Sequence, residues 1–416
     1  MERYGRLFAG LAVCAALSAP ARAADGTLVI AGGGVDAANA DVWGAFVRAA
    51  EGDGPVVIVL SASGRPSESG GSARDALIRH GADPDAVRVA PLAVMDDPST
   101  PDTDESLWAA NATDPEIAGL LRSASAIWFT GGDQSRTTAL LRPDGRATPA
   151  LSAILAAHRD SAAVGGTSAG AAVLSDPMIV QGDSFTALTG ATDGEPVRLS
   201  PGLGVFAPGI VDQHFGERAR LGRLVAALAQ LEEPSRRIGV GIDEGTALVA
   251  PPDGRHRIVG RGYVTIVDAR YARFEPAGPV PGLRARGVLL HLASGGDRLD
   301  ADGLAPVPAG WKTATLGHEY AERPRPGGGG LAFPRETLAD LLGEGLLDNS
   351  GSRVADRISF DMSGTGLRYR FRQSDASSGY WGRPPDGGPG RYTIRAAEFG
   401  FEPVRVAIDG KTEETQ

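Results

Sequence analysis

The sequence predicts an α/β fold, a mostly parallel sheet with helices on both faces, followed by a small β-rich C-terminal appendage. Three observations predict it. Short, wholly apolar runs such as Val56-Val57-Ile58-Val59-Leu60 recur between stretches that read as helices, and runs of that kind suit strands covered on both faces, as in a parallel sheet. Further apolar runs ending at Phe129, Val164 and Ile242 are each followed by a block of polar and glycine residues. Residues at the carboxyl ends of parallel strands share one crevice, which is where ligands bind in such sheets. Beyond Gly330, apolar and polar residues alternate instead, strictly in Leu367-Arg368-Tyr369-Arg370-Phe371-Arg372 and loosely in Arg391-Tyr392-Thr393-Ile394-Arg395, as in half-buried strands.

The elements follow in order along the chain. Arg3 and Arg6 precede an uncharged apolar stretch from Leu7 to Leu17, and Ala21-Arg22-Ala23 forms a small-x-small cleavage site. Residues 1–23 therefore read as a secretory signal peptide, too short to anchor the chain in a bilayer. The expected location is secreted or periplasmic. Its cleavage removes the one cysteine, Cys14, so no disulfide or thiolate chemistry is expected of the mature protein. Three arginines and one glutamate leave with it, which takes the net charge from −10 to −12. An acidic balance of that size argues against a nucleic-acid partner.

Thr27-Leu28-Val29-Ile30-Ala31 reads as the first strand, Val42 to Ala50 as a helix, and residues 56–60 as the second strand. Residues 24–330 form the expected α/β domain. Within it, Gly287-Val288-Leu289-Leu290-His291-Leu292 is expected to return a strand to the same sheet, and proline-rich stretches after residue 275 punctuate its end. Residues 331–416 are the appendage, whose expected roles are to position a polymeric substrate, cover a sheet edge or mediate oligomerisation. A homodimer stays open.

The stretch Gly165-Gly166-Thr167-Ser168-Ala169-Gly170-Ala171 writes a nucleophile elbow at the end of a strand-like run. Glycines two residues before and two after the serine keep backbone and side chains apart in a strained strand-to-helix turn. With 58 glycines in the chain, roughly 0.5 chance matches to G-x-S-x-G are expected, so the context has to decide. Downstream, Asp212-Gln213-His214-Phe215 supplies a histidine, and Gly241-Ile242-Asp243-Glu244-Gly245 supplies two carboxylates after an apolar strand. Serine needs a base, and the base needs an acid to fix its tautomer. Ser168, His214 and Glu244 fit those roles.

Four ordered blocks resemble the cyanophycinase family of serine peptidases: Phe129-Thr130-Gly131-Gly132-Asp133-Gln134, GGTSAGA at 165–171, DQHFGERARLGRL at 212–224 and GIDEGTA at 241–247. The resemblance covers roughly residues 27–300. It implies a glutamine-amidotransferase-like fold, with Ser168 as nucleophile, His214 as base and Glu244 as third member. It also implies substrate-binding roles for Gln134, Asp212, Gln213, Arg218, Arg220 and Arg223. The glycine pair Gly131-Gly132 permits a close turn, so the Gly132 amide is expected to join that of Ala169 as an oxyanion hole. Arg218 and Arg220, two apart, cannot share a helix face with each other. An arginine fork near the nucleophile suits a substrate bearing carboxylates.

The expected activity is hydrolysis of cyanophycin, the arginine-decorated polyaspartate, to β-Asp-Arg dipeptides without metal or cofactor. The alternatives are an aspartyl or isoaspartyl dipeptidase of the same fold, and a non-catalytic binding protein on the same scaffold. Gly32-Gly33-Gly34 after the first strand invites a dinucleotide-binding reading, but no acidic residue follows the next strand to hold a ribose. The histidines outside the His214 block show no i, i+4 pairing or His-x-x-Glu arrangement that would favour zinc.

Overall fold

The computed structural model describes residues 25–278, 280–300, 305–325 and 335–407. The expected leader over 1–23 and the expected boundary at 330 lie outside the described residues. Among these residues no helix is long and apolar enough to cross a membrane.

The first half of the chain alternates strands and helices: β1 (Leu28–Ala31), α1 (Ala40–Ala49), β2 (Val56–Val59), α2 (Pro66–Arg79), β3 (Val87–Ala90), α3 (Pro115–Arg122), β4 (Ala126–Phe129), α4 (Gln134–Leu141), α5 (Pro149–Arg159) and β5 (Ala163–Thr167). Local chemistry sets the helix starts. Asn39, Asp114 and Thr148 accept the amides of Val42, Glu116 and Leu151, and Pro115 and Pro149 stand at positions where no N–H is needed. Strand side chains alternate between two apolar layers, as the pleat requires. Val29 and Ala31 pack with Val42, Phe46 and Leu77 on one face, whereas Leu28 and Ile30 pack with Leu121 and Ile154 on the other. Phe46 and Trp43 each place a ring 4.8 Å from that of Trp128. Gly165 makes room for them, since a Cβ there would sit 2.8 Å from the Trp128 ring.

The second half begins with α6 (Ala169–Ala172), then a hairpin of β6 (Met178–Gln181) and β7 (Arg198–Ser200) with α7 (Ser184–Thr189) between them. There follow β8 (Ile210–Gln213), α8 (Leu221–Ala229), β9 (Ile238–Ile242), β10 (Thr246–Ala250), β11 (Arg257–Gly260), β12 (Tyr263–Asp268), β13 (Arg273–Pro276), β14 (Leu283–Ser294), β15 (Arg298–Leu299), β16 (Pro306–Val307) and β17 (Thr313–Ala314). The C-terminal region holds α9 (Leu338–Leu342), β18 (Val354–Phe360), β19 (Thr365–Arg372), β20 (Ser378–Gly382) and β21 (Arg391–Arg405).

Among the described residues these strands make two large sheets and one small one. The first sheet runs β16-β15-β11-β10-β1-β5-β4-β2-β3. It is parallel from β1 through β5, β4 and β2 to β3, and antiparallel across the rest. The expectation of a mostly parallel sheet therefore holds for its N-terminal side only. Residues 251–256 join β10 to β11, too short a link for a parallel crossover, and an apolar run does not reveal strand direction.

The second sheet runs β17-β20-β21-β14-β12-β9-β8, with β13, β18 and β19 attached. Here two expectations are corrected. The strand ending at Ile242 does not share the sheet of Phe129 and Val164, and residues 287–292 belong to β14 of the second sheet. Both are apolar enough for either sheet, and one apolar core joins the two: Ile30 and Val164 cluster with Val240, Ile242, Val264 and Ile266. The alternating C-terminal runs are indeed strands, yet β21 lies inside the second sheet, flanked by β14 on one side and by β20 and then β19 on the other.

A buried ion pair ties that region to the earlier chain. Lys312 Nζ donates to Asp297 Oδ2 at 2.8 Å, Ser294 Oγ at 2.7 Å and Thr393 Oγ1 of β21 at 2.6 Å. Removing one partner strands the other charge away from water. We expect Lys312→Met to lower unfolding stability by about 3–5 kcal/mol, read as a shift of the urea midpoint. An unchanged midpoint would refute a structural role for the pair.

Candidate active site

Ser168 sits between β5 and α6 at φ 55°, ψ −119°, a left-handed-side conformation that an L-residue adopts at a cost of about 1–3 kcal/mol. The flanking glycines show why it is tolerated. A Cβ at Gly166 would lie 2.3 Å from the carbonyl oxygen of Gly170, and one at Gly170 would lie 2.3 Å from that of Phe129. Ser168 Oγ is 2.8 Å from His214 Nε2, and His214 Nδ1 is 2.5 Å from Glu244 Oε1. Since a carboxylate only accepts, Nδ1 carries the proton and Nε2 remains the acceptor toward the serine.

Three different supports bring these side chains together. Ser168 comes from the first sheet, His214 from the end of β8 in the second, and Glu244 from the turn by which the chain crosses between them. The His214 amide donates to Gly32 O at 2.7 Å, and the Gly245 amide donates to Gly33 O at 2.8 Å. The Gly32-Gly33-Gly34 run thus has a structural reading that sequence reasoning missed. A Cβ at Gly33 would lie 2.3 Å from the His214 ring, and one at Gly34 would lie 2.7 Å from Glu244 Oε2. The signal was available: three glycines in a row after a strand announce close approach of another group, although not which one.

Asp243, beside Glu244, points elsewhere. Its carboxylate accepts the amides of Gly216 at 2.9 Å and Tyr263 at 3.0 Å, so it pins the loop that follows His214. Burial raises its pKa to about 6, with Glu217 adding to the effect. Its proton is therefore held more tightly folded than unfolded, and its contribution to stability falls as pH rises from 3.8 through about 6. His214 is shifted below its ordinary 6.5 chiefly by burial, with Arg218 and Arg220 adding to the shift and Glu244 opposing it.

A cleft of about 620 Å³ opens over Ser168, and Gly132, Gln134, Gln213, Arg218, Arg220 and Arg223 help line it. Ala169 is buried directly after the serine. Among the described residues neither the Gly132 nor the Ala169 amide donates to another protein group. Gly132 adopts φ 141°, where a Cβ would collide with Ala62 O at 1.9 Å. The other expected residues divide by what their polar atoms already touch. Gln134 Nε2 donates to Ile179 O at 2.6 Å, and buried Asp212 receives Arg223 Nε at 3.0 Å and its Nη2 as well. Arg220 donates to Gln213 Oε1 at 2.7 Å, and burial lowers its pKa to about 10, which leaves it charged at neutral pH. Arg218 is exposed at the cleft with no side-chain partner among the described residues. Arg218 and Arg220 precede α8 in non-helical backbone, which is how two arginines two apart reach one cleft.

The β6–β7 hairpin adds Gln181, Glu195 and Arg198 to the lining. Sequence reasoning missed them because residues 178–200 carry no motif. Arg198 binds the Gln181 side chain, while the Glu195 carboxylate has no partner among the described residues.

The glycine argument generates a direct test. In Gly33→Ala the added methyl displaces the imidazole, so a crystal structure is expected to retain the fold and lose the 2.8 Å contact between Ser168 and His214. An intact contact would overturn the steric account.

Comparison with known proteins agrees with these blocks. The description "Peptidase family S51" matches residues 105–258. A cyanophycinase from Synechococcus elongatus is 38% identical over 192 residues, covering 45% of this chain and 56% of that protein. Another from Geminocystis herdmanii (strain PCC 6308) is 35% identical over 198 residues, covering 47% of this chain and 69% of that protein. The chain thus matches little more than half the length of the Synechococcus relative. Among solved structures, a peptidase from an acI-B1 Actinobacterium superposes with a TM-score of 0.44 at 22% identity, covering 67% of this chain and 97% of that one. With its elbow, histidine and acid blocks in the same order as the sequence resemblance required, the chain belongs to peptidase family S51, the cyanophycinase family.

Proposed function

We propose that the protein is an exported serine peptidase that hydrolyses cyanophycin, releasing β-Asp-Arg dipeptides through an acyl-enzyme. The observation that carries this reading is the continuous Ser168–His214–Glu244 hydrogen-bonded chain, whose serine end opens into a cleft lined by arginines. Kinship with cyanophycinases supports the substrate, and the leader at residues 1–23 supports export.

In this reading Ser168 Oγ attacks the backbone carbonyl carbon of an aspartyl residue while its proton passes to His214 Nε2. Glu244 stabilises the resulting imidazolium. The carbonyl oxygen becomes an oxyanion between the Gly132 and Ala169 amides, whose preorganisation lowers the barrier. His214 then gives the proton to the leaving amine as the C–N bond breaks. Water, deprotonated by the same histidine, attacks the ester and restores Ser168–OH. Arg218 is the free fork for the α-carboxylate of the isopeptide-linked arginine, and Glu195 is the free acid for its guanidinium. Asp212 and Arg223 hold the floor of the cleft, and Gln134 fastens it to β6.

Two experiments test this reading. Purified protein is expected to release β-Asp-Arg from cyanophycin, identified by mass, and plain polyaspartate and polyarginine are expected to be poor substrates. Ser168→Ala is expected to abolish release while keeping the fold, and equal rates on polyaspartate would remove the cyanophycin assignment but spare the serine mechanism. Second, kcat/KM is expected to fall as pH drops through a single inflection below 6.5, because protonation of a base with a depressed pKa removes it. Glu244→Gln should slow turnover by about 10²-fold or more, whereas Asp243→Asn should chiefly lower stability. The reverse pattern would mean that the acid is Asp243.

A further inference from the structure

A second charged cavity lies away from Ser168, on the outer face of the second sheet. It has a volume of about 480 Å³ and is formed by β14, β19 and β21. The strand alternation that buries Tyr369, Phe371, Phe399 and Phe401 turns Arg368, Arg370 and Arg372 outward on β19, with Glu398, Gly400 and Glu402 opposite them on β21. Gly400 has no side chain and faces the irregular pairing of β14 between Ala285 and Val288. Bare backbone therefore floors the cavity, and arginines wall it.

Pairing within the sheet leaves part of this charge uncommitted. Arg370 is held by Asp356 at 2.7 and 2.8 Å, and Arg368 by Glu402. Arg372 reaches Glu398 only loosely, at 3.8 Å. Arg286 is exposed with no acidic partner among the described residues, whereas Arg284 shares Glu402 with Arg368, its Nε 3.6 Å from that carboxylate. Five arginines and two glutamates line the cavity. In a chain of net charge −10, this is a local excess of cation.

We infer that this cavity is an accessory docking site for the branched polyaspartate chain itself, distinct from the cleft that holds the bond to be cut. The inference rests on the proposed cyanophycin substrate. Each branch of that polymer ends in a free carboxylate and a guanidinium, so it offers both signs of charge to a cavity that holds both. Arg286 and Arg372 take the carboxylates as charge-assisted hydrogen bonds, and Glu398, which Arg372 holds only loosely, meets a guanidinium end. Docking at a second point raises the local concentration of polymer at the cleft without any new contact there.

The test separates docking from cleavage. Ser168→Ala protein is expected to be retained on immobilised cyanophycin. Adding Arg286→Ala and Arg372→Ala together should weaken that retention about fivefold or more, the worth of two exposed ion pairs. With Ser168 intact, the double variant should hydrolyse a short soluble β-Asp-Arg oligomer at the wild-type rate but lose rate on long polymer. Unchanged retention, equal retention on plain polyaspartate, or an equal loss of rate on the short oligomer would each overturn the docking site. Failure of the wild-type protein to cleave any oligomer would refute the peptidase reading instead, and the retention measurement would still judge docking.

Discussion

The structure depends on how Asp243-Glu244-Gly245 carries the chain from β9 in the second sheet to β10 in the first. Three residues make the crossing, and all three are fixed. Asp243 holds the loop after His214, Glu244 holds the His214 ring, and the Gly245 amide is held by Gly33 O. Because serine and histidine stand on different sheets, their 2.8 Å separation is a statement about how those sheets meet. A shift of one sheet against the other by a single Å would break it, and catalytic geometries lose most of their effect over such distances.

What resists that shift is the shared apolar core together with the glycine run after β1. The core residues of both sheets interdigitate, and protein interiors pack too densely to slide without opening cavities. Gly32 O then receives the His214 amide directly, so the backbone of the first sheet sets the height of the imidazole on the second. His214 itself has φ 48°. Together with Ser168, this places two non-glycine residues in conformations that cost free energy, side by side and held by the surrounding packing. Such strain is tolerated where position matters more than stability.

Much of this was legible from sequence, and for identifiable reasons. The elbow, the histidine block and the acid block are local patterns, and their chemistry needs particular residue types in a particular order. Strands such as β1, β2 and β4 were legible because Leu28, Ile58 and Trp128 sit in wholly apolar runs. What stayed hidden was non-local. Hydropathy gives burial but not partners, so β9 and β14 were assigned to the wrong sheet. The purpose of Gly32-Gly33-Gly34 was hidden because it is defined by His214 and Glu244, some two hundred residues downstream. Glu195 and Arg198 were hidden for the opposite reason: a cleft wall needs only a polar group at the right place, and no spacing rule marks it.

The C-terminal strands bear on the site through the same logic. β8, which delivers His214, is among the described residues an edge strand paired with β9 alone. β9 is held by β12, β12 by β14, and β14 by β21 over much of its length. Lys312, hydrogen-bonded to Thr393, fastens β21 to the turn that ends β14. An edge strand has hydrogen bonds on one side only, so its position is as well defined as the sheet behind it. Strands β19 and β21 therefore help to hold the histidine in place without lining the cleft, and that structural burden falls on their inner, apolar face. Their outer face carries none of that packing, and there the arginines collect.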